Sequence, residues 1–260
     1  SETEAKKTDG LKIIALSPGI VETIFFLGKG ENIIGTSGHC GFPEEAKSIP
    51  AVAGISDINL EFVLKEKPDV VFLMPSQKNI SEKLDLIGVK SVTVPQETIA
   101  DILNSFVIIG REIGLKKRSE TIKDSLESVL NLFHAQEDSS EVLISVGREY
   151  GSPVSYIYSS GKTGFLNDVI TLLGRVNALN TQIPYPKVGT EAIMTIDPEI
   201  IIDLVPETEL SEEELLQDWK IFERNKAWKN GRIYIFTGSH TTIPGPRIFD
   251  FIKELKEKGL

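Results

Sequence analysis

The stretch KKRSETIKDSLESVLNLFHAQ, Lys116 to Gln136, decides how the chain is divided. Ile122, Leu126, Val129, Leu130 and Phe133 recur at helical spacing, and charged or polar side chains fill most of the gaps. The spacing predicts one long helix. A stop signal, Gly114, precedes it and the polar run Gln136 to Glu141 follows. At 1.5 Å per residue such a helix is about 30 Å long, enough to cross a small domain and join two lobes as a strut that bends little.

On its N-terminal side, residues 12–17 read as a strand running into Pro18, Gly19 and the apolar helix pattern Ile20, Ile24, Phe25, Leu27, with Ser17 placed as the cap. Residues 33–36 form a second short strand, and the breaker-rich SGHCGFP, 37–43, is a loop at its carboxyl end, where open α/β sheets bind ligands. Residues 59–74 give a helix turn, a Pro stop and a buried strand; 76–87 a helix; 91–94 a strand; 99–113 an amphipathic helix. Beyond the strut the alternation resumes. Strands are expected at 141–146, within 147–158, after Pro198 and at 232–236, and helices at 165–173, from Val188, from Ser211 and at 247–258. The expected fold is α/β, two Rossmann-like lobes with mainly parallel sheets: a disordered tail at 1–10, an N-terminal lobe at 11–115, the helix at 116–136, and a C-terminal lobe at 137–260.

Composition narrows the class. The 260 residues are 40% hydrophobic and 25% charged, ordinary for a globular protein that buries a core. Lys plus Arg number 28 against 38 Asp plus Glu, a net charge of −10, which argues against nucleic acid or an anionic membrane surface as the main partner. The single cysteine, Cys40, excludes an internal disulfide framework. No apolar run approaches the ~20 residues that span a bilayer. The polar start reads equally as the tether left by a removed signal or as a cytosolic terminus.

An internal repeat is also visible. Setting 60–73 against 190–203 without gaps places Glu61 on Glu191, Val63 on Ile193, Leu64 on Met194, Pro68 on Pro198, Asp69 on Glu199, and Val70 and Val71 on Ile200 and Ile201. A first-turn carboxylate is favoured by the helix dipole by about 0.3–1 kcal/mol, which accounts well for one glutamate. It accounts less well for a matched pair, since other first-turn positions would serve the dipole equally. Two acids on corresponding corners would suit a two-fold symmetric basic partner.

Four segments, IIALSPGIVET at 13–23, NLEFVLKEKPDVV at 59–71, PYPKVGTEAI at 184–193 and PGPRI at 244–248, together with the intervening helix, resemble the helical-backbone class of substrate-binding proteins of ABC importers. That group carries iron–siderophore complexes, haem and cobalamin, and the likeness covers nearly the whole chain. It implies an extracytoplasmic, periplasmic protein, with a lipid anchor on the precursor as one form, and a monomer with no cofactor and no catalysis. It further implies that Glu61 and Glu191 meet arginines of a membrane permease dimer, and that a metal chelate lies between the lobes against strand-end loops. Carried over to this chain, those loops offer Pro18, Gly19, His39, Cys40, Phe42 and Met74 in the first lobe, and Arg148, Tyr150, Tyr185, His240 and Arg247 in the second. Aromatic rings suit a planar macrocycle, and arginine suits carboxylate edges.

His39 either faces the metal of a bound chelate or is a solvent-exposed loop histidine. Tyr185, held between Pro184 and Pro186, is expected to face the ligand. Arg247, a cation at a helix start, has either a specific partner or a structural salt bridge. Cys40 is either a soft ligand or packed, and His134, in the strut, carries no expected function. Where cobalamin binders present a tryptophan ahead of the NLE segment, this chain has Ile55 or Ser56. An α/β enzyme is a rival reading, but GxGxxG, P-loop, GxSxG and HExxH motifs are all missing. A direct metal-ion binder would need more than His39, His134 and His240, and a ligand sensor of the same fold is the third rival.

Overall fold

The computed structural model describes residues 10–131 and 138–260, and the chain divides into two compact units between Val129 and Leu130. In the first, β1 (Ile13–Ala15), α1 (Pro18–Phe26), β2 (Ile33–Ser37), β3 (Ala51–Ala53), α2 (Leu60–Glu66), β4 (Val70–Leu73), α3 (Lys78–Leu86), β5 (Ser91–Thr93) and α4 (Ile99–Glu112) precede α5 (Lys116–Asn131). Five parallel strands pair in the order β3-β2-β1-β4-β5. The period of two along a strand then sorts the core: Ile13, Ala15, Val70 and Phe72 pack with α1 and α4 residues on one face, while Ile14, Leu16, Val71 and Leu73 pack with Val63, Ile80 and Leu84 on the other. Ser17 caps α1 as expected, its Oγ accepting from the Ile20 amide at 3.2 Å.

The turn into α5 shows why that helix starts where it does. Gly114 takes a left-handed φ of 77°, and the Leu115 amide returns to the Gly110 carbonyl at 2.7 Å. A Cβ on Gly110 would lie 2.2 Å from Ser119 Oγ, so only glycine lets α4 and α5 approach this closely. Ile122 and Leu126 then pack on the core of β1, β4, α1 and α4. The first turns of the expected strut are therefore part of the first unit's own core. Residues 132–136 of the expected helix, His134 among them, lie outside the described residues.

The second unit contains β6 (Glu141–Gly147), β7 (Tyr156–Ser159), α6 (Phe165–Leu172), β8 (Val176–Asn177), β9 (Lys187–Gly189), α7 (Thr190–Ile196), β10 (Ile200–Val205), α8 (Glu212–Asp218), α9 (Lys226–Lys229), β11 (Ile233–Thr237) and α10 (Ile248–Glu257). Its strands run β11-β10-β6-β7-β9, with β8 also on β6. The pairs β11–β10, β10–β6 and β6–β8 are parallel, but β7 is antiparallel to both β6 and β9. Strand–helix alternation did not predict this reversal. Its cause is the link at 148–155, which carries Pro153 and no helix, so the chain turns straight back rather than crossing over.

The repeat is reproduced in backbone detail. After α2, Lys67 adopts φ 51° and bonds back to the Val63 carbonyl at 2.9 Å; after α7, Asp197 adopts φ 48° and bonds back to the Ile193 carbonyl at 3.0 Å. These are the non-glycine residues with positive φ among the described residues. Each is followed by proline and then by an acid that clasps the preceding strand. Asp69 accepts from the Lys12 amide at 2.8 Å and its own amide donates to the Lys12 carbonyl at 2.9 Å; Glu199 makes both bonds with Glu141 at 3.1 Å.

A left-handed non-glycine residue carries roughly 1 kcal/mol of strain. Lys67→Gly is expected to raise stability by up to about 1 kcal/mol in urea unfolding. Asp197→Gly should gain nothing, because its Oδ1 also accepts from the Lys226 amide at 2.8 Å, a bond worth about 1 kcal/mol.

Candidate functional site

In the first unit the expected contact residues all follow the carboxyl ends of parallel strands: Pro18 after β1, His39, Cys40 and Phe42 after β2, and Met74 after β4. A buried amide and hydroxyl layer holds these strand ends together. Ser17 Oγ donates to Gln96 Oε1 at 3.1 Å, Gln77 Nε2 donates to the Leu16 carbonyl at 3.2 Å, and the Met74 amide donates to Gln77 Oε1 at 2.9 Å. His39 and Phe42 are exposed, and Met74 is half-buried against the core. Cys40 instead belongs to the core cluster, its Sγ 3.6 Å from Ser37 Oγ. Burial pushes its thiol above the usual range; hydrogen bonds from Ser37 and Thr36 oppose this and the Glu22 carboxylate adds to it. A protonated, enclosed thiol is a poor soft ligand. Among the described residues, no cluster of three or more His, Cys, Asp or Glu side chains is arranged to hold a bare metal ion.

In the second unit Arg148 follows β6 at the expected strand end, yet its guanidinium faces inward. The side chain is fully enclosed. Nε bonds Asp203 at 2.9 Å and Nη2 lies 2.9 Å from the same carboxylate oxygen; Nη2 also bonds the Leu215 carbonyl at 3.1 Å, and Nη1 bonds the Glu149 carbonyl at 2.9 Å and Asp218 at 2.6 Å. Trp219 Nε1 adds a bond to Asp203 at 2.9 Å, and the guanidinium carbon lies 4.9 Å from the Tyr150 ring centre and 5.6 Å from that of Trp219. The expectation that Arg148 would grip a ligand carboxylate is corrected on that ground: its guanidinium is enclosed and already paired with two carboxylates. The signal that could have shown it is Asp203, one acid in the strand IIIDLV, whose burial demands a cation. Tyr150 is half-buried against the same network. Its phenol is held above the ordinary range by burial first and by Asp203 second, with Arg148 opposing.

His240 Nε2 lies 3.1 Å from the Glu254 carboxylate, and Arg247 Nη2 donates to Ser239 Oγ at 3.0 Å, so both anchor the loop after β11 to its own surroundings. Tyr185 is different. It lies in the bend just before β9, between the Pro184 carbonyl, which accepts from the Gly161 amide at 2.9 Å, and the Pro186 carbonyl, which accepts from the Ser159 amide at 3.0 Å. Within the β7–β9 pairing, Ile157 and Val188 on one side are buried in the core while Tyr158 at 44% is exposed on the other, and Tyr185 in its bend is 50% exposed. Tyr156 shares that side, edge-on to Tyr158 at 5.8 Å and with Lys187 Nζ 3.7 Å above its ring. Sequence reasoning named Tyr185 and missed Tyr156 and Tyr158, although the alternation Tyr-Ile-Tyr was there to read.

Glu61 and Glu191 occupy the first turns of α2 and α7, both exposed, and among the described residues neither carboxylate has a hydrogen-bond or ion-pair partner.

Two α/β units sharing one helix–Pro–strand module, with their loops at strand ends, define a binding-protein fold. The model of the periplasmic binding protein family matches residues 13–239, and the chain belongs to that family. It is 26% identical over 96% of its length to the uncharacterized ABC transporter substrate-binding lipoprotein YvrC of Bacillus subtilis, covering 80% of that protein. It is 24% identical over 95% of its length to the vitamin B12-binding protein of Vibrio parahaemolyticus, covering 88% of it. Its fold is that of the periplasmic heme-binding protein HutB of Vibrio cholerae, with a TM-score of 0.79 at 15% identity, covering 96% of this chain and 98% of that one.

Arg148→Met leaves two carboxylates buried without their cation and is expected to cost about 3–5 kcal/mol in urea unfolding. Adding Asp203→Asn should restore part of that loss. Native protein at neutral pH should be alkylated at Cys40 by iodoacetamide far more slowly than unfolded protein, read by mass spectrometry.

Proposed function

We propose that the chain is the substrate-binding component of an ABC importer that captures a metal chelate and hands it to a membrane permease dimer, and that it works as a monomer outside the cytoplasm. The chelate class is a ferric siderophore, haem or a cobalamin-type corrinoid. Family membership supports a binding rather than a catalytic role. The observation that carries delivery, as against sensing, is the matched pair Glu61 and Glu191: two exposed carboxylates at the same place in two copies of one module. The helix beginning at Lys116 links the two lobes.

Ligand contact is assigned, in the first unit, to His39 and Phe42 with the half-buried Met74, and in the second, to Tyr158 on β7 and Tyr185 in the bend before β9. Aromatic faces offer broad apolar contact to a flat macrocycle or chelate rim, and His39 can donate an imidazole nitrogen to a bound metal. Cys40, Arg148 and Tyr150 act from within, holding the loops, and His240 and Arg247 fix the loop after β11. Among the described residues, no helix is long and apolar enough to cross a membrane.

Absorbance titration with haem, a ferric hydroxamate and cobalamin tests this reading. Saturable one-to-one binding of one of them is expected, and binding of none would overturn it. Replacing Glu61 and Glu191 together by Ala should leave chelate affinity unchanged and lower ATPase stimulation of the reconstituted transporter by ~10-fold or more, as befits loss of two charge pairs.

A further inference from the structure

The two copies of the repeated module have diverged at most surface positions. Along α2 and α7, Phe62 stands against Ala192, Lys65 against Thr195, Glu66 against Ile196, and Lys67 against Asp197. Where the copies agree, the structure mostly supplies a reason inside the unit. Val63 and Ile193 are fully buried, Pro68 and Pro198 follow the left-handed turn, Asp69 and Glu199 clasp the neighbouring strand, and the strand residues lie in the core. Two matched positions have no such duty: Glu61 with Glu191, and Leu64 with Met194. Leu64 is 56% exposed and Met194 44%. Each sits one helical turn beyond its glutamate, on the same helix face.

A lone exposed leucine is ordinary. An apolar residue at the same exposed place in both copies, adjoining the same acid, calls for the same neighbour twice. From this we infer that Leu64 and Met194 are the apolar anchors of the docking corners, an inference that rests on the permease-delivery reading. The partner has two-fold symmetry and presents, at each of two equivalent positions, a cation for the glutamate with an apolar side chain one step away for Leu64 or Met194. On the second unit Met194 also lines a pocket of about 490 Å³ with Ile221, itself 42% exposed, and Arg224. That corner has room to receive a partner side chain rather than only abut it. The glutamates steer and orient the encounter, and the apolar pair sets how long it lasts.

The test measures binding of the chelate-loaded protein to its own permease in lipid nanodiscs at two salt concentrations. Leu64→Ser/Met194→Ser should weaken binding by ~10-fold or more with the salt dependence kept, the mark of lost apolar contact. Glu61→Ala/Glu191→Ala should weaken it and flatten the salt dependence. The conservative pair Leu64→Ile/Met194→Leu should bind as the parent does, and all variants should melt within a few degrees of it. Parent-like binding by the Ser pair, with the Glu pair weakened, overturns the anchors and leaves delivery standing. Parent-like binding by the Glu pair overturns docking through the acids, and a weakened Ser pair beside it would still support the anchors. Weakening by the conservative pair as well, or a fall in chelate affinity in the Ser pair, overturns the inference.

Discussion

The turn in which a left-handed residue, a proline and a strand-clasping acid follow one another is the constraint on which much else depends. It occurs twice, at Lys67–Asp69 and at Asp197–Glu199, and each time it ends a seven-residue helix and starts a central strand. The acid bonds both ways to the strand beside it, and so holds the register of β4 on β1 and of β10 on β6 at their first residues. With the helix end fixed, so is its beginning, one turn or two away. The position of Glu61 or Glu191 is therefore inherited from backbone geometry at the far end of the helix. The strain tolerated at Lys67 and Asp197, where glycine would cost less, is consistent with side chains kept for another reason, plain for Asp197 in its bond to Lys226.

The second unit depends in addition on one buried cation. Removing Arg148 and two carboxylates from water is unfavourable in itself, and the guanidinium offsets this by pairing with both acids and bonding two backbone carbonyls. The bonds reach Asp203 in β10, Asp218 and Leu215 in α8, and the backbone after β6, so one side chain ties its own segment to two others 55 to 70 positions further along the chain. In the first unit the strand ends are joined by the neutral Ser17, Gln77 and Gln96.

Local signals were legible wherever one residue type has one physical use. Ser17 ahead of Pro18 and Gly114 at a helix end each sit in the structure as read, and Asn59, which was not read as a cap, accepts from the Phe62 amide at 2.9 Å. The repeat was legible because its matches are core, turn and clasp residues. What escaped reading depends on contacts distant in sequence. The inward turn of Arg148 is decided by Asp203 and Asp218, and the reversal of β7 by the missing helix at 148–155. β3, with the sequence Ala51-Val52-Ala53, has too little β-branched content to announce itself and exists as an edge strand on β2. Candidate site residues were found by their place at strand ends, which sequence shows; whether a side chain then points out or in is a matter of packing, which it does not.

This sorting bears on the chemistry of recognition. Of the cations expected to meet a ligand, Arg148 is enclosed and paired internally and Arg247 is bonded to Ser239; a further cation, Lys187, lies over Tyr156. What remains at the surface of these loops and of the β7–β9 ladder is chiefly aromatic: Phe42, Tyr158 and Tyr185, with His39 as a nitrogen donor. A surface of that kind, in a chain of net charge −10, gains little from a small, highly charged anion and much from a large ligand with apolar faces. The proposed cargo is therefore better sought among chelates whose metal is wrapped in an extended organic framework than among compact carboxylate complexes.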